Sequence, residues 1–196
     1  MRRLLRLIAI LALATTSVLV GLPANAVTNL ITNGDFATGD ITGWTAVGDF
    51  TFPATSVITG GTPPQQSFLK AGPFSSAELS QTFSTLAGQQ YLISFDLQAE
   101  SGTETGTSTT AFFSANFDGV GNIFSTTAKT FNWMTFAFTE TASSTSSTLS
   151  FDYINVPSFY DLTNVSVTAV PEPEIYAMMG VGLLLMAFVV RHRRNK

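Results

Sequence analysis

Cysteine is absent from all 196 residues, and histidine occurs once, at His192 near the C-terminus. These two absences exclude Ser-His-Asp and Cys-His nucleophilic systems, His-ligated zinc and thiolate metal centres. Disulfides are excluded with them, so an exported domain of this chain must be held together by its core. Cations are scarce in the middle of the chain. Seven of the nine Lys and Arg residues lie before position 7 or after position 190, leaving only Lys70 and Lys129 between. Eleven acids stand against those two lysines between 27 and 170, a formal charge near −9. Such a surface cannot neutralise a phosphate backbone, which argues against nucleic acid as a partner. No glycine-rich loop followed by Lys-Ser or Lys-Thr is present to cradle a phosphate. Glycoside hydrolysis needs only two carboxyls ~5–10 Å apart, but no spacing nominates a pair, and the chain reads as a non-enzyme.

The two ends are organised differently from the middle. Met1 to Ala26 has the form of a secretory signal: Arg2, Arg3 and Arg6, an apolar stretch from Leu7 to Val20, then Ala24-Asn25-Ala26 as a small-x-small cleavage site. At the other end stand Val-Pro-Glu-Pro at 170–173, an uncharged run of 16 residues from Ile175 to Val190, and the cluster Arg191-His192-Arg193-Arg194-Asn195-Lys196. As a helix that run would span ~24 Å, slightly short of the usual ~20-residue crossing. Eight of its residues are Leu, Ile, Val or Phe, and it offers no polar face of the kind a soluble helix needs. The expectation is a single transmembrane helix over 175–190, with the basic end in the cytoplasm by the positive-inside rule.

This tail resembles the PEP-CTERM sorting tail, with Pro171, Glu172 and Pro173 as the motif and Arg191, Arg193 and Arg194 as the basic stop. The resemblance implies recognition by an exosortase, a membrane protease that cleaves near the motif, and an association with exopolysaccharide. It implies an inner-membrane precursor whose mature form lies at the cell surface or outside the cell. The chain then divides into a signal peptide over 1–26, an ectodomain over 27–169 and a sorting tail over 170–196.

The middle alternates with period two. Tyr91, Ile93, Phe95, Leu97 and Ala99 share one face of a strand, with Ser94, Asp96 and Gln98 on the other. Ala77, Leu79 and Phe83 form a similar set, as do Phe113, Ala115 and Phe117; Leu149, Phe151 and Tyr153; and Val165, Val167 and Ala169. Phe131 and Trp133 are odd while Met134, Phe136 and Phe138 are even, a phase change that points to a β-bulge near Trp133 or a strand starting at Met134. Gly, Pro, Ser and Thr clusters separate these runs, and no amphipathic helix appears among them. The predicted fold is all-β, an antiparallel jelly-roll β-sandwich, with its core filled largely by phenylalanine.

The opening phrase Asn29-Leu30-Ile31-Thr32-Asn33-Gly34-Asp35-Phe36-Ala37-Thr38-Gly39-Asp40, with Gly43-Trp44, and the closing phrase Phe159-Tyr160-Asp161-Leu162-Thr163-Asn164-Val165-Ser166-Val167 resemble the first and last strands of galactose-binding-like, carbohydrate-binding-module jelly rolls. That family often holds a structural calcium between those phrases. Its usual Glu and Asp ligand positions correspond here to Ala37 and Asn164, so two carboxylates are missing. Asp35, Asp40 and Asp161 with backbone carbonyls are the candidates for a weaker calcium site; no other cofactor is implied. Sugar stacking would use aromatic faces, for which Trp44, Trp133, Tyr153, Phe159 and Tyr160 are the candidates, although tryptophan more often plugs a core. Two functions follow: a non-enzymatic surface or matrix component, or a carbohydrate-binding module with a defined sugar site. Burial of Trp44 and Trp133 would favour the first, and an exposed aromatic row the second.

Overall fold

Alternation becomes strand wherever its inward phase is apolar, and the chain obeys this along most of its length. A computed structural model describes residues 28–48, 55–61, 65–72, 75–100, 110–155, 158–171 and 173–193. The signal peptide expected over 1–26 lies outside the described residues, as do Glu172 and Arg194. Ten strands are described: β1 (Thr45–Gly48), β2 (Thr55–Thr59), β3 (Ser67–Ala71), β4 (Ala77–Ser84), β5 (Gln90–Ala99), β6 (Ala111–Phe117), β7 (Gly121–Thr126), β8 (Phe131–Thr141), β9 (Ser146–Asn155) and β10 (Tyr160–Ala169). They form two five-stranded antiparallel sheets, ordered β1-β4-β9-β6-β7 and β2-β3-β10-β5-β8. A single helix, α1 (Pro173–Arg193), follows β10. The sandwich and its jelly-roll-like architecture are as the sequence predicts.

The core is aromatic. On β5, Tyr91, Ile93, Phe95 and Leu97 all face inward and are buried, in the register the alternation predicts. The Phe95 ring meets Phe136 and Phe138 of its own sheet at 5.6 and 6.2 Å between centroids. Across the sandwich it meets Phe113, Phe124 and Phe151 at 6.0, 5.9 and 5.3 Å. The Phe136 ring is stacked and the other four are tilted or edge-to-face, arrangements that suit the ring quadrupole better than a direct face-to-face sandwich.

Two irregularities shape the second sheet. Opposite Leu97 and Ala99, β8 supplies Met134 and Phe131, one residue too many, so the bulge expected near Trp133 is present inside one continuous strand. A second register shift lies in β10 between Thr163 and Ser166, with Asn164 at φ +52°. Asparagine tolerates that left-handed backbone where most residues do not. The β10 set also ends earlier than its alternation suggests, because Ala169 is exposed.

The opening phrase is a pinned loop. Asn33 Nδ2 donates to the carbonyls of Asp40 and Thr42, and Trp44 Nε1 donates to the Asn33 carbonyl. The buried Gln81 side chain accepts from Thr32 N at 2.7 Å and donates to Thr32 O at 3.0 Å. Gly34 approaches β10 so closely that a Cβ there would lie 2.1 Å from the Val165 carbonyl oxygen, which explains the glycine at this position.

Phe95→Ala is expected to destabilise the sandwich by about 3–5 kcal/mol, the usual cost of a large-to-small core change. Differential scanning calorimetry of the domain should register a fall in melting temperature of about 10 °C or more; a shift of a degree would contradict the burial.

Candidate ligand face and sorting tail

Strand phase separates the aromatic candidates. Trp44 is buried, stacked on Phe36 at 5.9 Å and tilted against Phe151 at 6.1 Å, so it is a core plug. Tyr153 and Tyr160 are fully buried. Tyr153 shares its phase with Leu149 and Phe151, and Tyr160 shares its phase with Leu162. Tyr160 donates its hydroxyl to the Ala128 carbonyl at 2.8 Å, and burial raises its phenol to about 12. These three positions are therefore corrected: none presents a ring to a sugar. Trp133 differs. The β8 bulge turns it to the outer face of the second sheet, where it is half-buried with its ring edge-to-face on Phe68 at 5.5 Å. Phe159 is also half-buried, beneath Lys70 Nζ at 4.5 Å from its ring centroid.

The outward residues around Trp133 and Phe68 are polar and unusually well covered. Thr163 pairs with Asp96, which pairs with Thr135; Lys70 pairs with Asp161, which pairs with Gln98. Asp96 accepts hydrogen bonds from Thr135 Oγ1 at 2.6 Å, Asn164 Nδ2 at 2.7 Å and Gln65 Nε2 at 3.2 Å. Lys70 Nζ donates to both Glu100 oxygens at 2.6 Å. Asp161 is 1% exposed, and its Oδ1 is buried without a hydrogen-bond partner. Burial raises its carboxyl to about 8, the neighbouring Glu100 charge adds to the rise, and Lys70 partly offsets it. Residue spacing alone did not join the outward residues of β5 and β10 into one face. The available signal was the density of hydrogen-bonding side chains at outward positions in strands that pair in the middle of a sheet.

The three proposed calcium carboxylates are not brought together. Among the described residues no group of three or more His, Cys, Asp or Glu side chains is placed to hold a metal ion. Asp40 is fully exposed and accepts from Thr38 Oγ1 and Thr42 N, bonds that hold its carboxyl below its usual range. Asp35 Oδ1 accepts from Ala37 N within its own turn, and Asp161 belongs to the outer face of β10. Ala37 and Asn164 do line one recess of about 160 Å³, with Asp35, Gln66 and Ser67. At that recess the Asn164 amide donates to Asp96, which ties the bulge to β5.

In the tail, α1 covers 21 residues and ends in Arg191, His192 and Arg193; the two arginines complement the C-terminal end of the helix dipole. Val181, Leu183, Leu184, Leu185, Met186 and Val190 are all exposed. Pro171 precedes the helix and is exposed, and Pro173 begins it, a position where proline is tolerated. Among the described residues no helix is long and apolar enough to cross a membrane by ordinary criteria. The expected span is corrected to that extent: the helix forms, but its uncharged run is 16 residues.

A pH dependence follows from Asp161. Its carboxyl ionises at the usual 3.8 in the unfolded chain but keeps its proton to about 8 when folded. A folded value above the unfolded one stabilises the fold fully below the unfolded value, and that contribution is lost as pH rises through the folded one. Melting temperature should therefore decline between about pH 4 and pH 8 on this account, and Asp161→Asn should flatten the decline. Identical pH profiles for the two proteins would contradict it.

Residues 169–194 match the family described as the PEP-CTERM protein-sorting motif. No curated protein sequence matches the chain. Among solved structures, TmCBM61, determined in complex with β-1,4-galactotriose, is similar with a TM-score of 0.56 and 16% identity, over 73% of this chain and 99% of that one. A candidate sugar-binding protein from Bacteroides thetaiotaomicron has a TM-score of 0.50 and 12% identity, over 73% of this chain and all of the other. The CBM22-1 xylan-binding domain of Paenibacillus barcinonensis Xyn10C has a TM-score of 0.49 and 15% identity, over 76% of this chain and 99% of that one. At such identities the likeness is one of fold. The chain thus carries a PEP-CTERM sorting motif behind a β-sandwich similar in fold to TmCBM61.

Proposed function

We propose that this protein is an exported, non-enzymatic component of the cell surface or extracellular matrix, delivered by an exosortase-type membrane protease and associated with exopolysaccharide. The observation that carries the reading is the tail: the motif, an apolar exposed helix and a basic end, in that order within 169–194. A signal peptide over 1–26 starts export, and the sandwich over 27–169 folds outside the inner membrane. The tail helix holds the precursor in the bilayer with its basic end in the cytoplasm. Its apolar run is short for a bilayer core, but Arg191 and Arg193 have long stems that reach the interface, and the bilayer thins at small cost. A non-enzymatic role is supported by the sequence, which has no cysteine and no histidine before His192. In the native host, mass spectrometry of the wild-type protein should find a mature form ending near residues 171–173 outside the inner membrane. Replacing Pro171, Glu172 and Pro173 by alanine should leave a full-length, membrane-bound precursor. Equal masses and equal membrane fractions for the two proteins would defeat the sorting reading and leave an ordinary anchor.

The outer face of the second sheet favours a second reading, in which the sandwich binds a polysaccharide chain. Trp133 and Phe68 supply apolar ring surface beside Lys70, Glu100 and Gln98, an arrangement suited to stacking on a pyranose while polar groups fix its orientation. The probes are the host's own exopolysaccharide and a β-1,4-galactan. Trp133→Ala should weaken retention on whichever binds by about tenfold or more, as loss of an aromatic anchor does, while the melting temperature stays close to wild type. Unchanged retention would remove this face from the function.

A further inference from the structure

The tail leaves the sandwich with almost no slack. At the end of β10, Ala169 pairs with Tyr91. One residue on, Val170 donates its N–H to the Gln90 carbonyl at 2.9 Å, and its own carbonyl accepts from Gln89 Nε2 at 2.7 Å. Gln89 is itself fixed: its N–H donates to the Leu86 carbonyl at 3.1 Å, and its carbonyl accepts from Ala142 N at 3.0 Å. The helix begins at Pro173. Only Pro171 and Glu172 stand between the last sheet-bound residue and the first helical one. On its N-terminal side the motif therefore follows directly on a residue tied into the sheet.

A protease takes its substrate as an extended strand and engages backbone groups on both sides of the bond it cuts. On the N-terminal side of this motif both backbone polar groups of Val170 are already bonded to the turn before β5 and to its first residue. We propose that the Thr168–Val170 segment is a latch on processing. The membrane protease reads the motif and helix from the C-terminal side, and it cuts only molecules in which Val170 has left Gln89 and Gln90. In the cut itself the peptide C–N bond breaks; water gives its hydroxyl to the acyl carbon and a proton to the departing amine. The proposal rests on the sorting reading and deepens it, since it makes the fold of the sandwich a determinant of the rate at which the tail is removed. Each hydrogen bond holding the latch shut resists opening by a factor of roughly 2 to 10.

The test is pulse-chase conversion of precursor to mature form in the native host, on the full chain. Gln89→Ala removes the bond to the Val170 carbonyl and should speed conversion roughly threefold, with the melting temperature of the sandwich little changed. A short Gly-Ser spacer inserted between Val170 and Pro171 should speed it further, because it supplies free backbone without touching the sheet. Leu92→Cys combined with Thr168→Cys, at residues paired across β5 and β10, should slow conversion until reductant is added, once mass analysis shows the disulfide formed. Wild-type rates for both the spacer protein and Gln89→Ala would overturn the latch. The Pro171, Glu172 and Pro173 triple-alanine protein separates the two readings. If it stays a precursor while the spacer has no effect, sorting stands and the latch falls; if it is converted normally, both fall.

Discussion

The contact between the two sheets at Phe95 is what the rest of the molecule depends on. One ring on β5 touches aromatic rings from β6, β7, β8 and β9, so a single side chain reaches both layers. With no disulfide to limit the unfolded chain, the sandwich relies on buried aromatic area and close packing for its stability. Phenylalanine suits that task because it buries a large surface with no polar atom to satisfy. The buried tyrosines add area at the ends of the core, where the Tyr160 hydroxyl finds a backbone carbonyl within reach.

The inward demand of Phe95 dictates the outward composition. A strand that sends residues 91, 93, 95 and 97 into the core must send 92, 94, 96 and 98 the other way. In β5 this places Asp96 and Gln98 on the outer face, where β10 contributes Asp161 and Thr163 from the neighbouring strand. The β8 bulge then swings Trp133 onto the same face, next to Phe68. The candidate ligand surface is therefore a by-product of core register plus one extra residue in β8. Moving that register by one would turn the acids into the core and the rings out of it.

This explains which parts could be read in the sequence. Strand phase is local, so the inward faces of β4, β5, β6 and β9 and a change of phase at Trp133 were visible in residue spacing alone; pairing with β5 made that change a bulge. The tail was legible for the same reason: its three elements are contiguous. The outer face was not, because its members come from positions 65–70, 96–100, 133–135 and 159–164, and only strand order brings them together. Asn164 illustrates the difference. Its identity suggested a missing calcium ligand, whereas its place in a bulge at positive φ shows an amide that bonds Asp96 across two strands. Trp44 likewise reads as either platform or plug until the loop around Asn33 is seen to draw its indole inward.

Strand order also sets a timetable. β10 lies between β3 and β5 in the middle of its sheet, and it is the last strand of the chain. Asn29, near the start of the described chain, accepts from the Val167 amide across a separation of 138 residues. A chain that emerges from its N-terminus onward cannot assemble the second sheet until β10 has emerged. α1 follows only three residues behind it. Such long-range closure is intrinsically slow, so β3 and β5 stay unjoined until β10 is available. Completion of the second sheet thus waits for nearly the whole described chain, and any factor that shields the unpaired edges of β3 and β5 must act before β10 arrives.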